Sequence, residues 1–121
     1  MRILAVDDSP TMLEILSSTL IEAGHSVVEA GDGSEGLKKL GDDIDLIISD
    51  LNMVVMSGFE FLRNVRESPE HMAKPFVFLT TESEGQLKSA ARAAGATAWM
   101  TKPFDPDVIL AKARSVLGLS V

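Results

Sequence analysis

The chain has 121 residues, 45% hydrophobic and 24% charged, with no cysteine and a formal net charge of −7. This suits one domain with its own core, excludes a disulfide scaffold or thiolate zinc site, and disfavours nucleic acid as a partner, because phosphate backbones select Lys/Arg patches. The apolar N-terminal run is too short for a signal-peptide core, and no run approaches the ~20 residues of a membrane span, so a cytoplasmic protein without membrane insertion is expected.

Arg2 to Val6 reads as a buried strand. Ser9 can cap and Pro10 can open a helix whose apolar positions are Met12, Ile15, Leu16, Leu20 and Ala23, with Gly24 ending it. His25 to Ala30 is a more polar strand, Gly31, Asp32 and Gly33 a turn, and Ser34 to Leu40 a weak helix. Ile44 to Ser49 is apolar and rich in β-branched residues, a third strand that delivers Asp50 to the edge of the core.

Ser57 and Glu60 have capping-box spacing before a helix with Phe59, Leu62 and Val65 on its inner face. After a polar connection from Glu67 to Lys74, Pro75 to Thr80 forms strand four. Thr81 and Glu84 suggest a second capping box, followed by a helix packed through Leu87, Ala90, Ala91 and Ala94 and stopped by Gly95. Thr97 to Thr101 is a short fifth strand, and Asp105 with Pro106 opens a last helix carrying Ile109, Ala113, Val116 and Leu117 inward.

Five strands alternating with five helices specify an α/β fold, a parallel sheet covered on both faces. Strands one, three and four are the most continuously apolar and belong in the centre; two and five suit the edges. With right-handed crossovers this gives the flavodoxin-like, doubly wound (βα)5 order 2-1-3-4-5, in one domain spanning residues 1–121. Strands one and three then end side by side, and Asp7, Asp8 and Asp50 converge.

Taken alone, Asp50 reads equally well as a turn former. Three carboxylates at one point are harder to explain, since each pair repels by roughly 3 kcal/mol at ~5 Å and an effective dielectric of about 20. A cation must share the site, and hard oxygen ligands with room for water match Mg²⁺. Thr80 and Lys102, at or just beyond the ends of strands four and five, add a hydroxyl and an ammonium on the side where open α/β sheets bind ligands.

Asp7-Asp8, Asp50, Thr80 and Lys102-Pro103-Phe104, in this order after strands one, three, four and five, resemble the receiver domain of bacterial two-component response regulators. The resemblance covers essentially the whole chain. The short form and the segment Gly95-Ala96-Thr97-Ala98-Trp99 resemble the chemotaxis CheY type.

What the resemblance implies is a switch rather than a turnover enzyme. Asp50 would take a phosphoryl group from a phosphohistidine of a CheA-like histidine kinase. Mg²⁺ would be held by Asp8, Asp50 and the Asn52 carbonyl, with Asp7 acting through water. Lys102 would pair with Asp50 before transfer and with a phosphoryl oxygen after it. Thr80 would swing its hydroxyl onto the phosphoryl group, and the N–H groups of Leu51 and Thr81 would complete the cradle.

Thr80 and Trp99 would then transmit the change to a partner face including Ala91, Trp99, Thr101 and Lys112. There a flagellar motor switch protein or a phosphatase would bind the monomer. Asn52 and Glu82 occupy positions that tune hydrolysis in the family, and Lys102–Pro103 would be cis.

The chain departs from the family pattern at Val54, where Pro is usual, at Ser57, where Asp or Asn is common, and at Trp99, where Tyr or Phe is usual. His25 and His71 read as surface histidines, and Met53, Met56 and Met100 as packing. A haloacid-dehalogenase-type phosphatase would require Asp-x-Asp after strand one, and an FMN binder would require a phosphate loop there; adjacent Asp7-Asp8 suits neither.

Overall fold

The computed structural model describes residues 1–53, 55–82 and 85–118. The strands are β1 (Arg2–Val6), β2 (Ser26–Ala30), β3 (Leu46–Ser49), β4 (Phe76–Thr80) and β5 (Ala98–Thr101). They alternate with α1 (Pro10–Glu22), α2 (Gly33–Lys39), α3 (Gly58–Glu67), α4 (Gly85–Ala93) and α5 (Pro106–Leu117). All strand pairs are parallel, and the order is β2-β1-β3-β4-β5, as predicted.

Alternation along the strands sorts side chains into two layers. Leu4, Val6, Ile47, Phe76 and Phe78 face Phe61, Leu62 and Val65 of α3 and Ala91 of α4. Ile3, Ala5, Leu46, Ile48, Val77 and Leu79 face Leu16 and Leu20 of α1 and Ile109 and Ala113 of α5. Every residue of β3 and β4 is buried, whereas β2 and β5 are only partly so, which is the difference between central and edge strands.

The predicted punctuation holds. Ser9 Oγ accepts the Met12 N–H at 3.3 Å with Pro10 opening α1, and Ser57 Oγ accepts the Glu60 N–H at 3.2 Å. Gly24 and Gly95, with φ of 94° and 102°, follow the ends of α1 and α4 in a conformation that side chains disfavour.

Several expectations are corrected. Ile15 is 48% exposed and Ala23 is exposed, while Ser17 is buried and donates to Glu29 Oε2 at 2.5 Å. The inward stripe of α1 therefore centres on Leu13, Leu16 and Leu20, and a polar pair replaces one apolar contact. On α3 the fully buried Phe61 joins Leu62 and Val65, and Phe59 is only half-buried. On α4, Ala90 and Ala94 are exposed; Ala91 and the partly buried Leu87 anchor the helix.

α2 takes its cap from Asp32, so the expected turn residue is the helix's own start. Because α4 begins at Gly85, Thr81 lies too early to cap it; Glu84, its expected partner, and Val54 fall outside the described residues. The two histidines, expected at the surface, are only partly exposed. His25 and His71 are half-buried, each with a buried Nδ1 that has no hydrogen-bond partner among the described residues. Burial, then the N-terminal ammonium and Arg114, holds the His25 imidazole below its usual pKa.

Phe61 packs edge-on to Phe76, ring centres 5.4 Å apart, and Phe76 packs likewise on Phe78 at 5.1 Å. Phe61→Ala is expected to destabilise the domain by about 3–5 kcal/mol, seen as a lower urea midpoint with an unchanged m-value.

Candidate functional site

Register assembles the site. Val6 lies opposite Ser49 where β1 and β3 end, so the next residues, Asp7 and Asp50, are neighbours, and the Asp50 N–H donates to the Val6 carbonyl at 2.9 Å. Thr80 lies opposite Thr101 where β4 and β5 end, and the Lys102 N–H donates to the Thr80 carbonyl at 2.8 Å. Backbone pairing thus brings four sequence-distant segments to one rim.

Asp7, Asp8 and Asp50 each offer a carboxylate oxygen, all within 4.8 Å of one another. Asp7 is 3% exposed and Asp50 8%, whereas Asp8 is open to solvent. Lys102 Nζ lies 2.6 Å from Asp7 Oδ2 and 3.6 Å from Asp50 Oδ1. Lys102 pairs with Asp50 as expected, but its closer partner is Asp7, which the expectation left out.

The other Asp7 oxygen accepts the Ser9 N–H at 2.9 Å, and Asp50 Oδ1 accepts the Leu51 N–H at 2.8 Å. The Leu51 N–H assigned to a phosphoryl cradle is therefore occupied by Asp50 itself. Burial pushes the Asp50 carboxyl above its usual pKa; Lys102 and the Leu51 N–H oppose this, and Asp7 and Asp8 add to it.

Gly58 lets α3 approach this loop. A Cβ there would lie 2.5 Å from the Asp50 carbonyl oxygen, and the Gly58 N–H donates to the Leu51 carbonyl at 2.7 Å. Sequence reasoning passed over this glycine, although a glycine directly after the cap Ser57 is a signal of close approach.

The family model of the response regulator receiver domain matches residues 3–114. The chain belongs to the receiver domain family. It is 37% identical over 121 residues to a chemotaxis protein CheY homolog of Campylobacter jejuni, covering 98% of this chain and 93% of that protein. It is 36% identical to chemotaxis protein CheY1 of Helicobacter pylori, covering 98% of each. The solved structure of chemotaxis protein CheY4 from Vibrio cholerae superposes with a TM-score of 0.91 at 43% identity, covering 95% of this chain and 97% of that one.

In this receiver Thr80 is fully buried, and its Oγ1 accepts the Glu82 N–H at 3.3 Å. The Glu82 carbonyl accepts the Trp99 Nε1–H at 3.1 Å, and Asn52 Nδ2 lies 3.4 Å from Glu82 Oε1. Trp99 is half-buried, tilted at 61° against Phe78 with ring centres 5.7 Å apart. Glu82, read from sequence as a tuning residue, connects the backbone beside Thr80 to the indole. Thr81 is exposed, and the Lys102–Pro103 bond is cis as expected.

Two concavities of about 300 and 450 Å³ adjoin on the face of α4, β5 and α5, and Trp99 and Lys112 line both. Thr101 is exposed there. Ala91, expected among the contact residues, is 1% exposed: it forms the floor of the smaller hollow while anchoring α4.

The donor set fits a hard divalent cation, with hard oxygens from three carboxylates close together and one of them solvent-facing. It also costs stability, because charge accumulates where the fold would otherwise bury apolar groups. Asp50→Asn is expected to stabilise the metal-free domain by about 1 kcal/mol at neutral pH. The sign follows from the raised pKa: the cost of the ionised carboxylate is absent below the usual value of 3.8 and grows as pH rises through the folded-state value. Thermal melts of both proteins from pH 3 to pH 8 should therefore converge in acid.

Proposed function

We propose that this receiver is a phosphorylation-activated switch in chemotaxis that accepts a phosphoryl group on Asp50 from a CheA-like histidine kinase. What carries the reading is the meeting of Asp7, Asp8, Asp50, Thr80 and Lys102 at the C-terminal ends of four strands. The names of the Campylobacter and Helicobacter relatives support chemotaxis as the setting.

Asp50 Oδ1 is tied to the Leu51 N–H, which orients the carboxylate and leaves Oδ2 for attack on phosphorus. A bond forms from that oxygen to phosphorus as the phosphorus–nitrogen bond to the donor histidine breaks, and the imidazole leaves with the electron pair. Lys102, already 3.6 Å from Asp50, follows the charge onto a phosphoryl oxygen. Asp8, Asp50 and the Asn52 carbonyl would hold Mg²⁺, with Asp7 acting through water; bound there, the ion neutralises phosphoryl charge.

Transmission starts at Thr80. To donate to a phosphoryl oxygen its hydroxyl must turn, disturbing the Glu82 N–H that it now accepts; the same residue's carbonyl holds Trp99. A shift of Glu82 therefore reaches the indole and the two hollows it lines. From Gly85 to Phe104 the chain has no Asp or Glu, although it carries 18 acidic residues in all. Lys88, Arg92 and Lys112 outnumber Asp105, the one acidic residue lining the two hollows, so that face is net cationic and suits a motor-switch protein that presents acidic groups.

The reading is tested with a small phosphodonor and Mg²⁺. The native chain is expected to take one phosphoryl group and Asp50→Asn none; full labelling of the variant would refute Asp50 as acceptor. Capture from cytoplasm on the beryllofluoride–Mg²⁺ form, against Asp50→Asn, is expected to retain a motor-switch protein selectively. Retention of a histidine kinase alone, on the inactive form, would replace the motor reading with a phosphate-sink role.

Trp99→Phe keeps a ring against Phe78 but loses the indole donor. It is expected to be phosphorylated at the native rate while the phosphorylated and unphosphorylated forms differ about fivefold less in partner affinity, the value of one neutral hydrogen bond. Fluorescence anisotropy with the captured partner measures this; an undiminished ratio would show that Glu82 does not carry the signal.

A further inference from the structure

Arg66, in the last turn of α3, joins three segments at the end of the sheet opposite the acidic rim. Its Nε–H donates to the Gly95 carbonyl at 2.9 Å, and its Nη1 donates to the carbonyls of Lys74 at 2.7 Å and Met72 at 3.2 Å. One planar guanidinium thus ties the turn after α4 to the α3–β4 connection. Among the described residues no carboxylate pairs with it, and burial holds it below its usual pKa, so carbonyl oxygens alone compensate the cation.

The same turn is held from its other side. A Cβ at Gly95 would lie 2.9 Å from Arg66 Nε, so a side chain there would push the guanidinium off its carbonyl. Two residues on, the Thr97 N–H donates to the Phe76 carbonyl at 2.7 Å, and Thr97 Oγ1 accepts the Phe76 N–H at 3.0 Å. Along α4 itself only Ala91 is buried, with Leu87 partly so. The helix therefore has hydrogen bonds fixing the turn at its C-terminal end and light packing over the rest, and such an element moves by turning about its fixed end.

Resting on the phosphorylation-switch reading above, we infer that Arg66 is the pin of a hinge at Gly95, about which α4 swings when Asp50 is phosphorylated. Arg66 is a positioning residue in this scheme, acting on the partner face only through the Gly95 carbonyl. Displacement is largest in the first turn of α4 and dies away from Gly95 to Thr97. In the smaller hollow, Lys88 then moves against Trp99 while Ala96 and Thr97 stay in place, so the hollow changes width at one end.

The chain has no cysteine, so pairs introduced at exposed positions can be spin-labelled and their separation read by pulsed electron paramagnetic resonance. Ser18→Cys on α1 is the fixed reference, paired with Gln86→Cys in the first turn of α4 or with Ala94→Cys just past its end. On adding beryllofluoride and Mg²⁺, the first distance is expected to change by about 2 Å and the second to stay unchanged. Equal shifts at both positions, or a shift at Ala94 alone, would overturn the hinge and leave the switch standing. No shift at either would overturn it too, and the switch reading falls with it only if partner affinity is also unaltered.

The pin is tested by Arg66→Gln against Val65→Ala, which loses core packing on the same helix but keeps the guanidinium bonds. In Arg66→Gln the Ala94 distance is expected to shift as much as the Gln86 distance, and in Val65→Ala to stay unchanged. A still Ala94 label in Arg66→Gln, or movement in both variants, would refute Arg66 as the pin.

Discussion

The electrostatics of one rim set the terms for this molecule. Three carboxylate oxygens lie within 4.8 Å of one another and one ammonium lies among them. Each carboxylate pair costs roughly 3 kcal/mol at ~5 Å and an effective dielectric of about 20, and one ammonium among three carboxylates leaves the rim with excess negative charge. The chain tolerates this because the positions are fixed by backbone pairing rather than by the side chains: Asp7 and Asp50 follow residues locked in parallel register. Fully buried side chains on both sheet faces, Phe61, Phe76 and Phe78 on one and Ile3, Leu16 and Leu20 on the other, hold that register against the repulsion. A site that is destabilising in itself is poised to respond to cations and to a change of charge at Asp50.

The route from that rim to the face of α4, β5 and α5 is short because one peptide segment serves both ends. Glu82 gives its N–H to Thr80 and its carbonyl to Trp99. An indole, which can only donate, fits this position because the group it meets is a carbonyl. Phe would fill much of the same space against Phe78 without making the bond. Trp99, standing where the family usually has Tyr or Phe, thus joins a hydrogen bond to Glu82 with its ring contact on Phe78.

Periodicity and punctuation made most of the fold legible. The apolar runs at Arg2 to Val6, Ile44 to Ser49 and Pro75 to Thr80 could only be central strands, and Ser9-Pro10, Ser57 and Asp105-Pro106 marked helix starts by chemistry that acts locally. Errors arose where burial depends on what lies across a gap. Ile15 and Ser17 exchange roles because Glu29, on another element, supplies Ser17 with a partner. Ala90 and Ala94 fit an apolar stripe but face solvent, since small residues pattern alike on either side of a helix. His25 and His71 carried no signal of burial, because neither has a neighbour in sequence that would predict it. At the site, residue identities were readable from strand ends, but which carboxylate holds Lys102 depends on ångström-scale side-chain placement, and the spacing of residues in sequence does not encode it.

The same layering makes α4 easier to move than α3 or α5. α3 drives Phe61, Leu62 and Val65 into the core and closes on Asp50 through Gly58, so it cannot shift without disrupting the loop that begins at Asp50. α5 is tied by Ile109 and Ala113, with Val116 and Leu117 behind them. α4 is held by Ala91 and a partly buried Leu87, and its remaining side chains project away from the core. An element with so little apolar area committed to the core is cheaper to displace than α3 or α5. It is also the one whose first turn lies just beyond Glu82, so a small movement at Thr80 acts on a part of the sheet's cover that resists it little.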